Sequence, residues 1–188
     1  MKTYQGELGY LRAGLEDGRA YLLSDQLFGL LAVGPASGGE YPALTLGSLL
    51  LSLTRLKAQA VRPGQYLEVQ KLETELENLR SRWRVAWGRK AAWEFRSRIK
   101  QWETYLNEVR QASEKYAGYY RYEVRLRVIL ALLAPEAEGL EPAYLEFLAG
   151  LDAIVEARFV RGDFIWEAEC QPGFPEPGYW FLYGSLSE

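Results

Sequence analysis

The 188-residue chain has no histidine and a single cysteine, Cys170. Without histidine there is no Ser-His-Asp or Cys-His machinery, no imidazole general base and no imidazole metal ligand. One cysteine excludes an internal disulfide and a thiolate zinc cage. The glycine-rich stretch GPASGGEYP (34–42) contains no lysine, so it lacks the GxxxxGK[ST] pattern that cradles phosphates and reads as a loop. No cofactor, metal site or catalytic residue is therefore assigned. Carboxylates remain for acid–base chemistry, but their pairing is a matter of pocket geometry that a linear sequence does not show. Enzymatic activity is left open.

Long hydrophobic runs are also missing. LTLGSLLLSL (44–53) and VILALLA (128–134) fall well short of the ~20 residues of a spanning helix. The opening MKTYQGELGYLRAGLEDG has no apolar signal-peptide core. The expectation is a cytoplasmic protein with no membrane contact.

What is present is ordinary globular composition, 48% hydrophobic and 25% charged, enough for one self-sufficient domain. Helical periodicity dominates. Tyr4, Leu8, Leu11 and Leu15 predict an amphipathic helix over 3–16, stopped at Asp17-Gly18. The apolar segment 20–33 predicts a partly helical piece, with Ser24 or Asp25 as N-cap. Thr45 caps a helix running to about Ala60, with Leu46, Leu49, Leu50, Leu53 and Leu56 inward.

From Leu72 to Val109 apolar residues recur every three or four positions, through Trp83, Trp87, Phe95, Ile99 and Trp102. A helix from Gln65 to Tyr116 would be ~75 Å long. That predicts one long central helix with a kink near Gly88. Further helices are expected at 120–134, ended by Pro135, and from Pro142 to about Ala157, with Tyr144, Phe147, Leu148, Leu151 and Val155 inward.

Residues 158–188 differ from the helical domain 1–157. Aromatic residues crowd among proline and glycine, and residues 159–166 predict a short β-hairpin turning at Gly162-Asp163. The GYWFLYG stretch (178–184) reads as a strand or a tail over the helices, and the proline-rich 172–178 as irregular. The fold class expected is mainly α: a helical bundle around a long central helix, with an irregular or short β-hairpin aromatic C-terminal segment.

Two surfaces are candidate sites. Arg82, Arg89, Arg96 and Lys100, with Trp93 among them, fall on one narrow helical stripe, a pattern that could follow phosphates and stack a base. The plainer readings are a solvated face with Arg89 lying over Trp93, or a face covered by acids of the same chain. Charge favours the latter: residues 80–100 carry eight bases and one acid, and residues 134–188 carry two bases and eleven acids. The second surface is aromatic, with Trp166, Tyr179, Trp180 and Tyr183 serving as core or as interface anchors.

A net charge of −3 disfavours a dedicated nucleic-acid binder. The reading is a non-catalytic interaction or scaffold subunit acting through a protein partner or self-association. The alternative is nucleic-acid binding through the basic-aromatic face.

Overall fold

A computed structural model describes residues 3–32, 34 and 40–187. Eight α-helices and one two-stranded sheet make it mainly α: α1 (Tyr4–Leu23), α2 (Leu46–Gln59), α3 (Pro63–Arg82), α4 (Arg84–Gln111), α5 (Ser113–Tyr116), α6 (Tyr120–Leu133), α7 (Pro142–Glu156), β1 (Phe159–Arg161), α8 (Glu176–Tyr179) and β2 (Gly184–Leu186). The caps explain several starts. Thr3 Oγ1 accepts the Gly6 amide, Thr45 Oγ1 accepts the Ser48 amide, and Pro63 and Pro142 occupy first-turn positions where no amide partner is lost.

α1 runs past Asp17-Gly18 to Leu23. Gly18 does not stop it because the missing side chain makes room for Leu79, and Asp17 accepts the Ala32 amide across the following segment. The short helix expected after Ser24 is absent. Ser24 instead closes α1, its hydroxyl donating to the Tyr21 carbonyl at 2.8 Å. Lys90 Nζ takes up the Ser24 and Gln26 carbonyls at 2.7 and 2.8 Å, and Gly29 and Leu44 exchange backbone hydrogen bonds. Tertiary donors thus replace the helical ladder there. Val33 and residues 35–39 of the expected loop lie outside the described residues.

The central helix is divided at Trp83, five residues before the expected kink. Trp83 has φ −116° and ψ 31°. The i→i−4 bonds from Trp83 to Leu79 and from Trp87 to Trp83 survive at 3.0 and 2.8 Å, so the chain bends without unravelling. Glu136 fixes the bend from outside: it accepts from Arg80 on α3 at 3.0 Å and from the Trp87 indole on α4 at 2.9 Å. Gly88 lies within α4, where Glu138 packs against its backbone. A second break at Ala112 ends α4 short of the expected Tyr116.

α4 is the axis of the bundle. It packs most extensively on α6, and also touches α1, α2 and α7. Trp87, Phe95, Ile99 and Trp102 are buried along it, and Leu46, Leu49, Leu53 and Leu56 of α2 are buried as expected. α7 presents Leu148, Leu151 and Val155 to the core, but Phe147 points outward and Tyr144 is half-buried.

The C-terminal segment departs from the expected hairpin. β1 pairs antiparallel with β2, Phe159 opposite Leu186 and Arg161 opposite Gly184. Residues 164–166 do not form the second strand. Gly184, at φ +153°, is required there because a side chain would collide with the Val160 carbonyl and the Phe159 ring. The proline-rich stretch is less irregular than expected, with a 3₁₀ turn over 168–173 followed by α8.

The division of the tryptophans predicts a graded response. Trp87 is 2% exposed and Trp93 40%. Trp87→Ala should cost about 3–5 kcal/mol by urea unfolding, and Trp93→Ala about 1 kcal/mol or less. Equal losses would place Trp93 in the core.

Candidate functional site

The basic stripe is shorter than a single helix would make it. Arg82 ends α3, before the bend, and lines a groove of about 790 Å³ between α1 and α3 with Arg12, Arg19, Glu68 and Trp83. Arg89, Trp93, Arg96 and Lys100 share α4. Arg89 and Lys100 are exposed and Arg96 is half-buried. Among the described residues none of these cations, Arg82 included, forms an ion pair. The acidic C-terminal block therefore does not cover the stripe. Its contribution lies elsewhere, at Glu136 on Arg80, Asp152 on Arg127 and Glu167 on Arg55. The cation over Trp93 is Lys90, 5.4 Å from the ring centroid, where Arg89 was expected.

Three charges of the same helix are turned inward. Lys90, Glu94 and Arg98 recur every four residues and are 4%, 0% and 8% exposed. Glu94 accepts the Gly47 amide at 2.9 Å and Arg98 Nε at 3.1 Å. Burial pushes the Lys90 ammonium below the ordinary lysine range, with Asp25 partly opposing. These residues belong to the fold, and their i,i+4 spacing inside a basic run was the signal that sequence reasoning passed over.

Trp166, Tyr179, Trp180 and Tyr183 are half-buried; the first three join a chain of edge-to-face ring contacts through the buried Phe174 and Phe181, while Tyr183 tilts against Phe164. Polar groups fasten this cluster to the helices. Tyr120 OH donates to the Phe181 carbonyl at 2.7 Å, Trp166 Nε1 to the Arg121 carbonyl at 3.0 Å, and Arg55 to Glu167 at 2.7 Å. The aromatic tail is packed on α2 and α6, not displayed. Cys170 is buried beneath it, and desolvation pushes its thiol up, away from nucleophilic thiolate.

A polar cleft of about 590 Å³ opens between α2, α6 and this tail. Its wall carries Arg55, Arg121 and Arg125 against Glu7, Glu123 and Glu167. The two signs balance, so it does not concentrate ions of either. Glu7 at its floor is held by the Ser52 hydroxyl and by Arg55.

The face that sequence reasoning missed is on α7. Phe147 and Ile154 are 40% and 41% exposed, with Ala143, Gly150, Ala153 and Ala157 exposed between and beside them and the carboxylate of Glu146 on the same side; Leu145, 47% exposed, lies on the opposite flank of the helix. Phe147 departs from the inward expectation because periodicity alone does not say how much of a helix its neighbours cover. α7 makes its main helix contacts with α4, leaving the outer side bare. Next to it lies an apolar cleft of about 340 Å³ between the C-terminal ends of α4 and α7, lined by Leu106, Val109, Ala153, Ile154, Ala157 and Leu186. Among the described residues no helix is long and apolar enough to cross a membrane, and no group of three or more carboxylate or thiol side chains is placed to hold a metal.

Removing residues 172–188 should expose the core beneath Phe174, Phe181 and Leu182 and drop the melting temperature by more than 10 °C (a loss of about 3 kcal/mol or more). An unchanged melting curve would show that the tail is not part of the core.

No protein-family model matches the chain, no curated protein resembles it, and no solved structure shares its fold closely enough to count as a match.

Proposed function

We propose that the protein is a non-catalytic interaction subunit that works through the outer face of α7, assembling with itself or with another protein. The observation that carries this reading is that bare face: mostly apolar, with Glu146 its one charge, central on its helix, and bordered by a cleft whose walls are mainly apolar, with Arg110 and Arg158 at its rim. The aromatic tail, the other candidate, is spent on the core. Among the described residues, buried charges and a neutral polar cleft show no convergent acid–base arrangement that would argue for catalysis.

One observation favours a second reading. Arg89, Arg96 and Lys100 lack carboxylate partners among the described residues, and Trp93 stays 40% exposed between them. That pattern suits a polyanion. Three things weigh against it. The net charge is −3, the bend removes Arg82 from the helix that carries the others, and Lys90 already occupies one side of the Trp93 ring.

Light scattering with and without single- and double-stranded oligonucleotides separates the two readings. At about 50 mM salt, where cations grip phosphates strongly, no complex is expected. A salt-sensitive complex that Arg89→Glu with Arg96→Glu abolishes, the fold staying intact, would overturn the interaction reading in favour of nucleic acid. Replacing one of the two arginines at a time should then lower its log–log salt slope by about 0.7–0.9 for each phosphate that is no longer neutralised.

A further inference from the structure

A cavity of about 680 Å³ lies between the end of α7, β1 and the chain around α8. Phe159, Trp180 and Tyr183 contribute aromatic rings to its wall, and Glu156, Glu176 and Arg161 contribute charges. Its volume falls within the range of about 300–1,000 Å³ that small-molecule sites occupy. It is what the packing of the tail on the core leaves open, since each of the three rings is only half-buried.

The rings are held in place by the backbone around them. Phe159 belongs to β1, where pairing with β2 sets it opposite Leu186. Trp180 opens a 3₁₀ turn in which the Tyr183 amide donates to the Trp180 carbonyl at 2.9 Å. The Tyr183 hydroxyl donates to the Phe174 carbonyl, also at 2.9 Å, which fixes the third ring. Phe159 and Trp180 stand at 89° with their centroids 5.2 Å apart, so their planes meet as a corner. Among the described residues no cation of the chain lies over any of these rings.

An aromatic face attracts a cation through its quadrupole, and the surroundings pull the same way. Glu156 is exposed and forms no ion pair among the described residues. It is the last residue of α7, a helix with no base in its last turn, so the negative end of the dipole adds to its charge. Arg158, just beyond, lines the cleft against α4 instead. Glu176 is 3.4 Å from Arg161, whose side chain is 82% exposed and stays off the rings. Two carboxylates against one guanidinium leave the cavity negative.

We infer that this cavity binds an alkylated ammonium group, with the methyls against Phe159, Trp180 and Tyr183 and the charge facing Glu156. A primary ammonium is strongly hydrated and loses more on leaving water. Alkyl groups on the nitrogen spread the charge and pack on the rings. Arg161 is a built-in competitor, because it holds Glu176 and repels an incoming cation. The site uses none of the outer face of α7, so it stands or falls apart from the interaction reading.

Nuclear magnetic resonance tests this with choline and with the neutral alcohol in which carbon replaces the choline nitrogen. Choline should shift the Trp180 indole resonance with a Kd of about 1 mM, the weak end of specific association. The neutral alcohol should bind roughly fivefold more weakly. Glu156→Gln should weaken choline about threefold, and Arg161→Ala should tighten it about twofold. Both side chains are exposed, so neither change threatens the fold. A short peptide bearing trimethyllysine identifies the carrier. Tighter binding than choline points to a protein chain, and binding no tighter points to a free small cation. Three results would overturn the inference: no Trp180 shift up to about 10 mM choline, well past that weak end; equal affinity for the neutral alcohol; or choline binding that Arg161→Ala weakens. Each would leave the interaction reading standing, since that reading falls only to an oligonucleotide complex.

Discussion

Glu94 has no solvent exposure, yet it carries a charge that two separate elements use. Its carboxylate accepts the Gly47 amide in the first turn of α2, where the helix dipole is positive, and the guanidinium of Arg98 one turn further along α4. Arg98 in turn reaches toward Thr45, the N-cap of α2, and lies over the Phe28 ring, 5.3 Å from its centroid. Gly47 has no side chain to keep the carboxylate away, and Ile129 of α6 fills the same spot from the other side. A charge taken out of water is costly unless its partners are in place. The position of α2 on α4 is therefore fixed to within hydrogen-bond distance, which apolar packing by itself would leave free to slide.

The same helix sets the rest. One turn before Glu94, Lys90 draws in the Ser24 and Gln26 carbonyls, which ends α1 and holds the segment after it in an irregular path. At the other end, Trp102 and Tyr105 stack and Tyr120 closes over them, tying α4 to α6 and through the Phe181 carbonyl to the tail. Arg127 carries the tie on to α7, in a two-pronged contact with Asp152 at 2.7 and 2.8 Å while it lies over Phe181. With α4 so thoroughly engaged on its inner sides, α7 packs on its margin and is left with a bare outer face.

Helix types and most helix ends were legible in the sequence because their causes are local. Thr45 caps α2, Pro142 opens α7, and the stripe from Leu72 to Val109 marks a buried face. The misplaced features depend on distant partners. Asp17-Gly18 looked like a stop, but Leu79 from another helix uses the gap. Gly88 looked like the kink, but Glu136 anchors both Arg80 and Trp87 and puts the bend at Trp83. The β-pairing failed for the same reason, since the partner of residues 159–161 is the strand Gly184–Leu186, about 25 residues further on. Of the candidate surfaces, the separation of Trp93 from Trp87 could be read from helical angle. The bareness of α7 could not, because it is a statement about which neighbours are missing.

The central claim is that the Glu94 carboxylate fixes α2 on α4, and Glu94→Gln tests it most directly, with the Gly47 amide as reporter. The amide side chain still fills the space and can still accept from Gly47, but Arg98 is left as a buried, uncompensated charge. Hydrogen exchange at Gly47 should accelerate together with a loss of about 3–5 kcal/mol in global stability. A variant that unfolds within about 1 kcal/mol of the wild type and leaves Gly47 as protected as before would contradict the account, showing that apolar packing alone holds α2 in place.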